Sequence, residues 1–132
     1  GELDNAIYAY NKALDIKPDD TEIHHSLAWT YLLQTQLPKA QQHFLQTWEL
    51  SNKKHTHAPM NLGHCALLQK QPQQALEWYQ KSIPLWEDIT IFWQGMEQDY
   101  LDLNMQQQGI LPADYQALLT QLKASLEPNN KK

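Results

Sequence analysis

A chain of 132 residues has room for one domain with a sizeable core, and 42% hydrophobic against 19% charged residues is too apolar for a disordered chain. Ten lysines, no arginine and fifteen acidic residues leave a net charge of −5. That balance lacks the basic stripe a nucleic-acid binder needs and the planar fork that grips phosphates, so no nucleic-acid partner is expected. No apolar run approaches the ~18 residues of a membrane span, and Gly1-Glu2-Leu3-Asp4 is no signal peptide, so no membrane partner is expected either. The lone Cys65 cannot form an internal disulfide; the fold must stand on packing, which suits a reducing compartment and favours the cytoplasm.

In chain order, residues 1–20 read as a helix with Ala6 and Tyr10 one turn apart and Pro18 beyond its end. A second helix covers roughly 21–34, with Leu27, Tyr31 and Leu32 at helical spacing. Leu37-Pro38 interrupts the pattern, which resumes through Ala40, Phe44, Leu45 and Trp48. The same alternation recurs with a helix at about 56–69, a break at Pro72 and a further helix holding Ala75 and Tyr79. Proline at the first turn of a helix costs little, because the N–H it lacks has no partner there. A helix at about 88–103 follows, where Glu87 and Asp88 complement its dipole. Asn104 to Leu111 forms a longer connection. Pro112 then opens a last helix with an apolar stripe of Tyr115, Leu118, Leu119, Leu122 and Leu126.

The spacing repeats. The pairs Ala6/Tyr10, Ala40/Phe44 and Ala75/Tyr79 lie 34 and 35 residues apart. Leu27-Ala28-x-x-Tyr31 and Leu62-Gly63-x-x-Ala66 are again 35 apart, and Trp93-x-x-Met96-x-x-x-Tyr100 follows 34 further on. Small residues at such positions let helix axes approach, and the aromatics fill the space between neighbouring helix pairs.

This pattern resembles the tetratricopeptide repeat family, with its W-x2-L-G-x2-Y, A-x3-F and closing proline at a 34-residue period. The resemblance covers roughly residues 1–103. His24 and Pro59 stand where the family usually has Trp, Ala66 replaces Tyr, Asn52 and Glu87 replace the closing Pro, and one extra residue lies near His55. It implies an all-α, right-handed helical-hairpin solenoid with a degenerate C-terminal capping helix pair, as a single domain over 1–132. Its parts are 1–20 as the second helix of a truncated repeat, repeats at 21–54 and 55–87, a degenerate repeat or cap at 88–128, and a frayed tail at 129–132. A chain entering inside a repeat is expected to belong to a longer protein, its Tyr8, Tyr10 and Leu14 surface available for association with another copy.

The resemblance also implies a function: a non-catalytic scaffold holding a partner peptide or helix in the concave groove lined by the first helix of each pair. Superposing the repeats places His25, Met60 and Gln94 in one row, and Trp29, His64 and Gln98 in another. Ser26, Asn61 and Gly95 form a third, with Glu22, His57 and Ile91 along the edge. The expected ligand contacts are His25, Trp29, Met60, Asn61, His64 and Gln98. One subset of the family grips chaperone C-terminal carboxylates with Lys, Asn and Arg. Here only Asn61 matches, His25 and Trp29 occupy two of the other sites, and no lysine lies in the first helices, so a weakly charged or mixed peptide is expected. The alternative is a structural subunit that self-associates through the solenoid edges.

Catalytic and metal chemistry find little support. His57 and His64 are separated by an axial rise of about 10.5 Å on one helix, too far to share a zinc ion with bonds of about 2.0–2.1 Å. His55 and His57, beside a turn, offer at most weak metal binding. Glu97, Asp99 and Asp102 read as a solvated helix face, and Cys65 as a small buried hydrophobe. No catalytic residue, metal or cofactor is expected.

Overall fold

The computed structural model describes residues 1–127. Its helices are α1 (Glu2–Ile16), α2 (Thr21–Leu33), α3 (Leu37–Leu50), α4 (His57–Leu68), α5 (Pro72–Ser82), α6 (Ile89–Asp102) and α7 (Pro112–Ala124), with a 3-10 turn at Ile83–Leu85. Among the described residues there is no strand. The helices start where the local chemistry favours it. Pro38, Pro72 and Pro112 stand in the first turns of α3, α5 and α7. Asp20 accepts the Ile23 N–H at 3.0 Å and Asp88 accepts that of Thr90 at 2.9 Å, capping α2 and α6.

The ends are still more regular. Beyond α2 the N–H of Thr35 donates to the Leu32 carbonyl and that of Gln36 to Tyr31. Lys70 and Gln71 do the same to Leu67 and Ala66, and Asn104 and Met105 to Leu101 and Tyr100. Each is a Schellman closure, which needs a left-handed residue just past the helix. Thr35, Lys70 and Asn104 supply it with φ of 58°, 63° and 51°. The extra residue near His55 is absorbed by two successive left-handed residues, Asn52 and Lys53, with φ of 58° and 62°. Ser51 Oγ accepts the N–H groups of Lys54 and His55 in the same turn.

Successive helices pack as antiparallel hairpins, α2 with α3 and α4 with α5, while α1 lies on α2 and α3 on α4. Helix α4 is the centre of the stack: every residue from Ala58 to Leu68 is buried. Ala28, Ala40 and Ala75 are fully enclosed, as are Phe44 and Tyr79. Ala40→Leu is expected to overpack the α2–α3 contact by about 1–3 kcal/mol, read as a lowered thermal midpoint. An unchanged midpoint would refute that packing.

The C-terminal pair departs from the regular hairpin. The connection between α6 and α7 turns inward: Leu103, Met105 and Ile110 are buried, and the Tyr100 hydroxyl donates to the Ile110 carbonyl at 2.6 Å. Helix α7 then reaches back, its Tyr115 hydroxyl donating to the Met96 carbonyl at 2.7 Å. Tyr115, Leu118, Leu119 and Leu122 form its buried stripe. Leu126 does not join them, because α7 stops at Ala124 and leaves it exposed. The tail expected to fray, 129–132, lies outside the described residues.

Candidate binding groove

Helices α2, α4 and α6, the first of each hairpin, present their side chains to a common surface with two adjoining cavities. One, of about 240 Å³, is lined by His25, Trp29, His57, Asn61 and Asp99. The other, of about 320 Å³, is lined by His57, Met60, Trp86, Ile91, Gln94, Gly95, Gln98 and Asp99. His57 and Asp99 belong to both, so the cavities form one groove across the three helices.

Of the six expected contacts, five line this groove. His25 and Trp29 are half-buried, and Gln98 is exposed, donating to Asp102 at 2.9 Å. Met60 and Asn61 are buried and build its floor, and Gly95 allows the Met60 methyl to approach. His64 is the exception. It is wholly enclosed and lines neither cavity, so it cannot touch a ligand there. Its two nitrogens are used internally: Nε2 meets Asp99 Oδ2 at 2.9 Å, and Nδ1 meets the Tyr79 hydroxyl at 2.8 Å. A carboxylate only accepts, so Nε2–H donates to Asp99 and the Tyr79 O–H donates to Nδ1. This chain aims Asp99, whose side chain is 17% exposed, into the groove. The solvated-face reading of Glu97, Asp99 and Asp102 therefore holds for the first and last, which are exposed, and fails for Asp99.

Asp99 and Trp86 are the groove residues missing from the superposed rows. The signal for Asp99 was in the spacing. The step of 35 that relates Trp29 to His64 leads on to Asp99, whereas a step of 34 leads to Gln98. Trp86 lies outside the helical repeat. Its indole N–H donates to Ser82 Oγ at 2.9 Å, and Ser82 in turn donates to the Thr56 carbonyl, which seats the ring edge-on to His57 at 4.8 Å.

The groove histidines His25 and His57 are held toward their neutral forms. Burial lowers the pKa of His25 to about 4, helped by the nearby His55 and His57. Burial and His55 lower that of His57 against the opposing pull of Asp99 and Glu22. His25 Nε2 accepts from Asn61 Nδ2 at 3.2 Å, which leaves the buried Asn61 Oδ1 without a hydrogen-bond partner. Glu22, His25 and His55 come close enough to suggest a metal site. However, His55 Nδ1 accepts the Ala58 N–H at 3.2 Å, so its proton sits on Nε2 and points to Glu22 at 3.3 Å. A nitrogen carrying a proton has no lone pair for a metal, and the cluster is a hydrogen-bonded pair beside a ring. On the other side of α2, His24 Nε2–H donates to the Pro18 carbonyl at 2.8 Å, and His24 Nδ1 faces His43 Nδ1 at 3.0 Å. Of those two facing nitrogens, His43 must therefore be the donor.

Residues 1–34, spanning α1 and α2, match the family model described as a TPR repeat, which supports a tetratricopeptide-repeat protein. Comparison with curated proteins returns no match. Proteins built on this repeat are generally non-catalytic interaction scaffolds. No helix among the described residues is long and apolar enough to cross a membrane.

Proposed function

We propose that the chain is a non-catalytic binding module that holds an extended peptide or a helix of a partner protein across α2, α4 and α6. The observation that carries this reading is the continuous groove with a mixed lining. Trp29, Met60, Trp86 and Ile91 offer apolar and aromatic contact, while Asn61, Gln98 and Asp99 offer polar fixing points. Large rigid aromatics beside an adaptable methionine are the composition of binding anchors. The contacts proposed are His25, Trp29, Met60, Asn61 and Gln98, joined by His57 and Asp99, with His64 positioning Asp99 from behind. Two groups that chemistry would want reactive are held inert: both nitrogens of His64 are committed, and burial pushes the Cys65 thiol up to about 12.

The test is selection of a random-peptide display library on the protein, followed by binding of the enriched peptides to a Trp29→Ala/Gln98→Ala variant. Gln98 is exposed and Trp29 is half-buried against the edge of the core, so a native circular dichroism spectrum of the variant is the control for its fold. At least a tenfold loss of affinity is expected when an anchor tryptophan is removed. A selection that enriches nothing, or peptides that bind the variant equally well, would overturn the groove.

Self-association is a second reading, supported by α1. Its Tyr8 is 66% and its Ile16 81% exposed, although Tyr10 and Leu14 pack against the core.

A further inference from the structure

The smaller cavity of the groove holds a carboxylate, Asp99, and one buried acceptor without a partner, on Asn61. Asn61 is 2% exposed, yet its Oδ1 has no hydrogen-bond partner. A buried acceptor left unpaired is unfavourable, and a ligand that donates to it removes the penalty. Asp99 adds a carboxylate to the same lining, and the half-buried Trp29 adds an aromatic face. His25 and His57 complete the lining, and both resist protonation. Neither therefore brings a positive charge into the cavity at neutral pH.

None of the described lysines lines this cavity. Lys12, Lys39, Lys81 and Lys123 lie over the rings of Tyr8, Tyr31, Trp78 and Trp93, and Lys70 donates to the Gln108 carbonyl. Among the described residues no lysine pairs with an acid, and Asp99 and Glu22 are met only by histidines.

Resting on the peptide-groove reading, we infer that this cavity receives a cationic side chain of the partner peptide, lysine or arginine. Its N–H groups donate to Asp99 and to the orphaned Asn61 Oδ1, and the charge lies against the Trp29 ring, where a cation is attracted by the π face. The other occupants fit poorly. An acidic side chain would face Asp99 and an unpaired acceptor at once. An apolar side chain would leave the buried Asn61 Oδ1 without a donor and Asp99 without a counter-charge. A volume of about 240 Å³ suits one side chain rather than a drug-sized ligand.

The experiment titrates the isotopically labelled protein with the N-acetyl methylamides of lysine, arginine and norleucine, following the Asn61 side-chain amide and Trp29 indole N–H signals. The lysine or arginine amide is expected to move both signals, and the norleucine amide neither. Asp99→Asn keeps an oxygen for the His64 N–H but removes the charge, and is expected to weaken the cationic amides at least tenfold. Trp29→Leu retains bulk without the π face and should weaken them severalfold. An equal response to norleucine, or an Asp99→Asn protein of native spectrum that binds as tightly as wild type, would overturn the inference. The library separates this inference from the one beneath it. Groove-bound peptides with no recurrent lysine or arginine would overturn the cation site and leave the peptide groove standing. Cation binding with an empty selection would do the reverse.

Discussion

Gly63→Ala is expected to lower stability by about 2–3 kcal/mol, one of the largest effects of a single methyl group anywhere in the chain. A Cβ built at Gly63 falls 2.4 Å from the Tyr79 ring, inside any tolerable contact. The ring cannot retreat. Tyr79 is fully buried and its hydroxyl is tied to His64, which is tied in turn to Asp99. Alanine is worth up to about 1 kcal/mol more than glycine inside a helix, so the net loss is what overpacking leaves after that gain. For a domain of this size the loss corresponds to a drop of roughly 10 °C in thermal midpoint, measurable by circular dichroism. The double variant Gly63→Ala/Tyr79→Leu makes room for the methyl group and should recover part of the loss. Gly63→Ala melting like wild type would mean that α4 and α5 do not approach as described.

Acidification is expected to destabilise the fold well before the carboxylates protonate. Burial holds His25 at about 4 and lowers His43 and His57, whereas an unfolded histidine titrates near 6.5. Above about pH 6.5 these rings are neutral in both states, so their contribution to stability is complete there. As the pH falls below that, the unfolded chain binds protons that the folded chain refuses, and stability declines. For His25 the decline continues until the folded ring itself protonates near 4. Its share over that window is on the order of 3 kcal/mol. Geometry gives the same sign. A proton added to His25 Nε2 would face the Asn61 amide N–H across 3.2 Å. Urea midpoints at pH 7.5, 5.5 and 4.5 measure the effect. His25→Gln, which keeps an acceptor for Asn61 without titrating, should flatten the curve. A midpoint constant from pH 6.5 to 4.5 would refute the buried-histidine account.

The hairpin architecture was legible because its signals are local and redundant. Ala40 with Phe44 and Ala75 with Tyr79 must recur at one period for the hairpins to stack, and Pro38 and Pro72 mark where second helices begin. The groove was legible as a surface, since one face of α2, α4 and α6 follows from helical spacing. Depth was not. His64 and Asn61 look like polar surface residues, and only the three-dimensional partners show why they tolerate burial: Tyr79 and Asp99 satisfy His64, while His25 takes only half of Asn61. Asp99 was hidden by one residue of register between a step of 34 and a step of 35. Leu126 was misplaced because periodicity does not say where a helix ends.

The Schellman closures at Thr35 and Lys70 have a consequence for the chain as a building material. Both joints share the same two hydrogen bonds and nearly the same left-handed angle, so the backbone leaves residue 70 in the state in which it left residue 35. Residues 36–70 are therefore a cassette with matching connectors, bearing one second helix and the next first helix. Copies spliced head to tail would lengthen the solenoid without requiring a new kind of joint. Each copy would carry its own Asn61, its own His64 and one more panel of the groove.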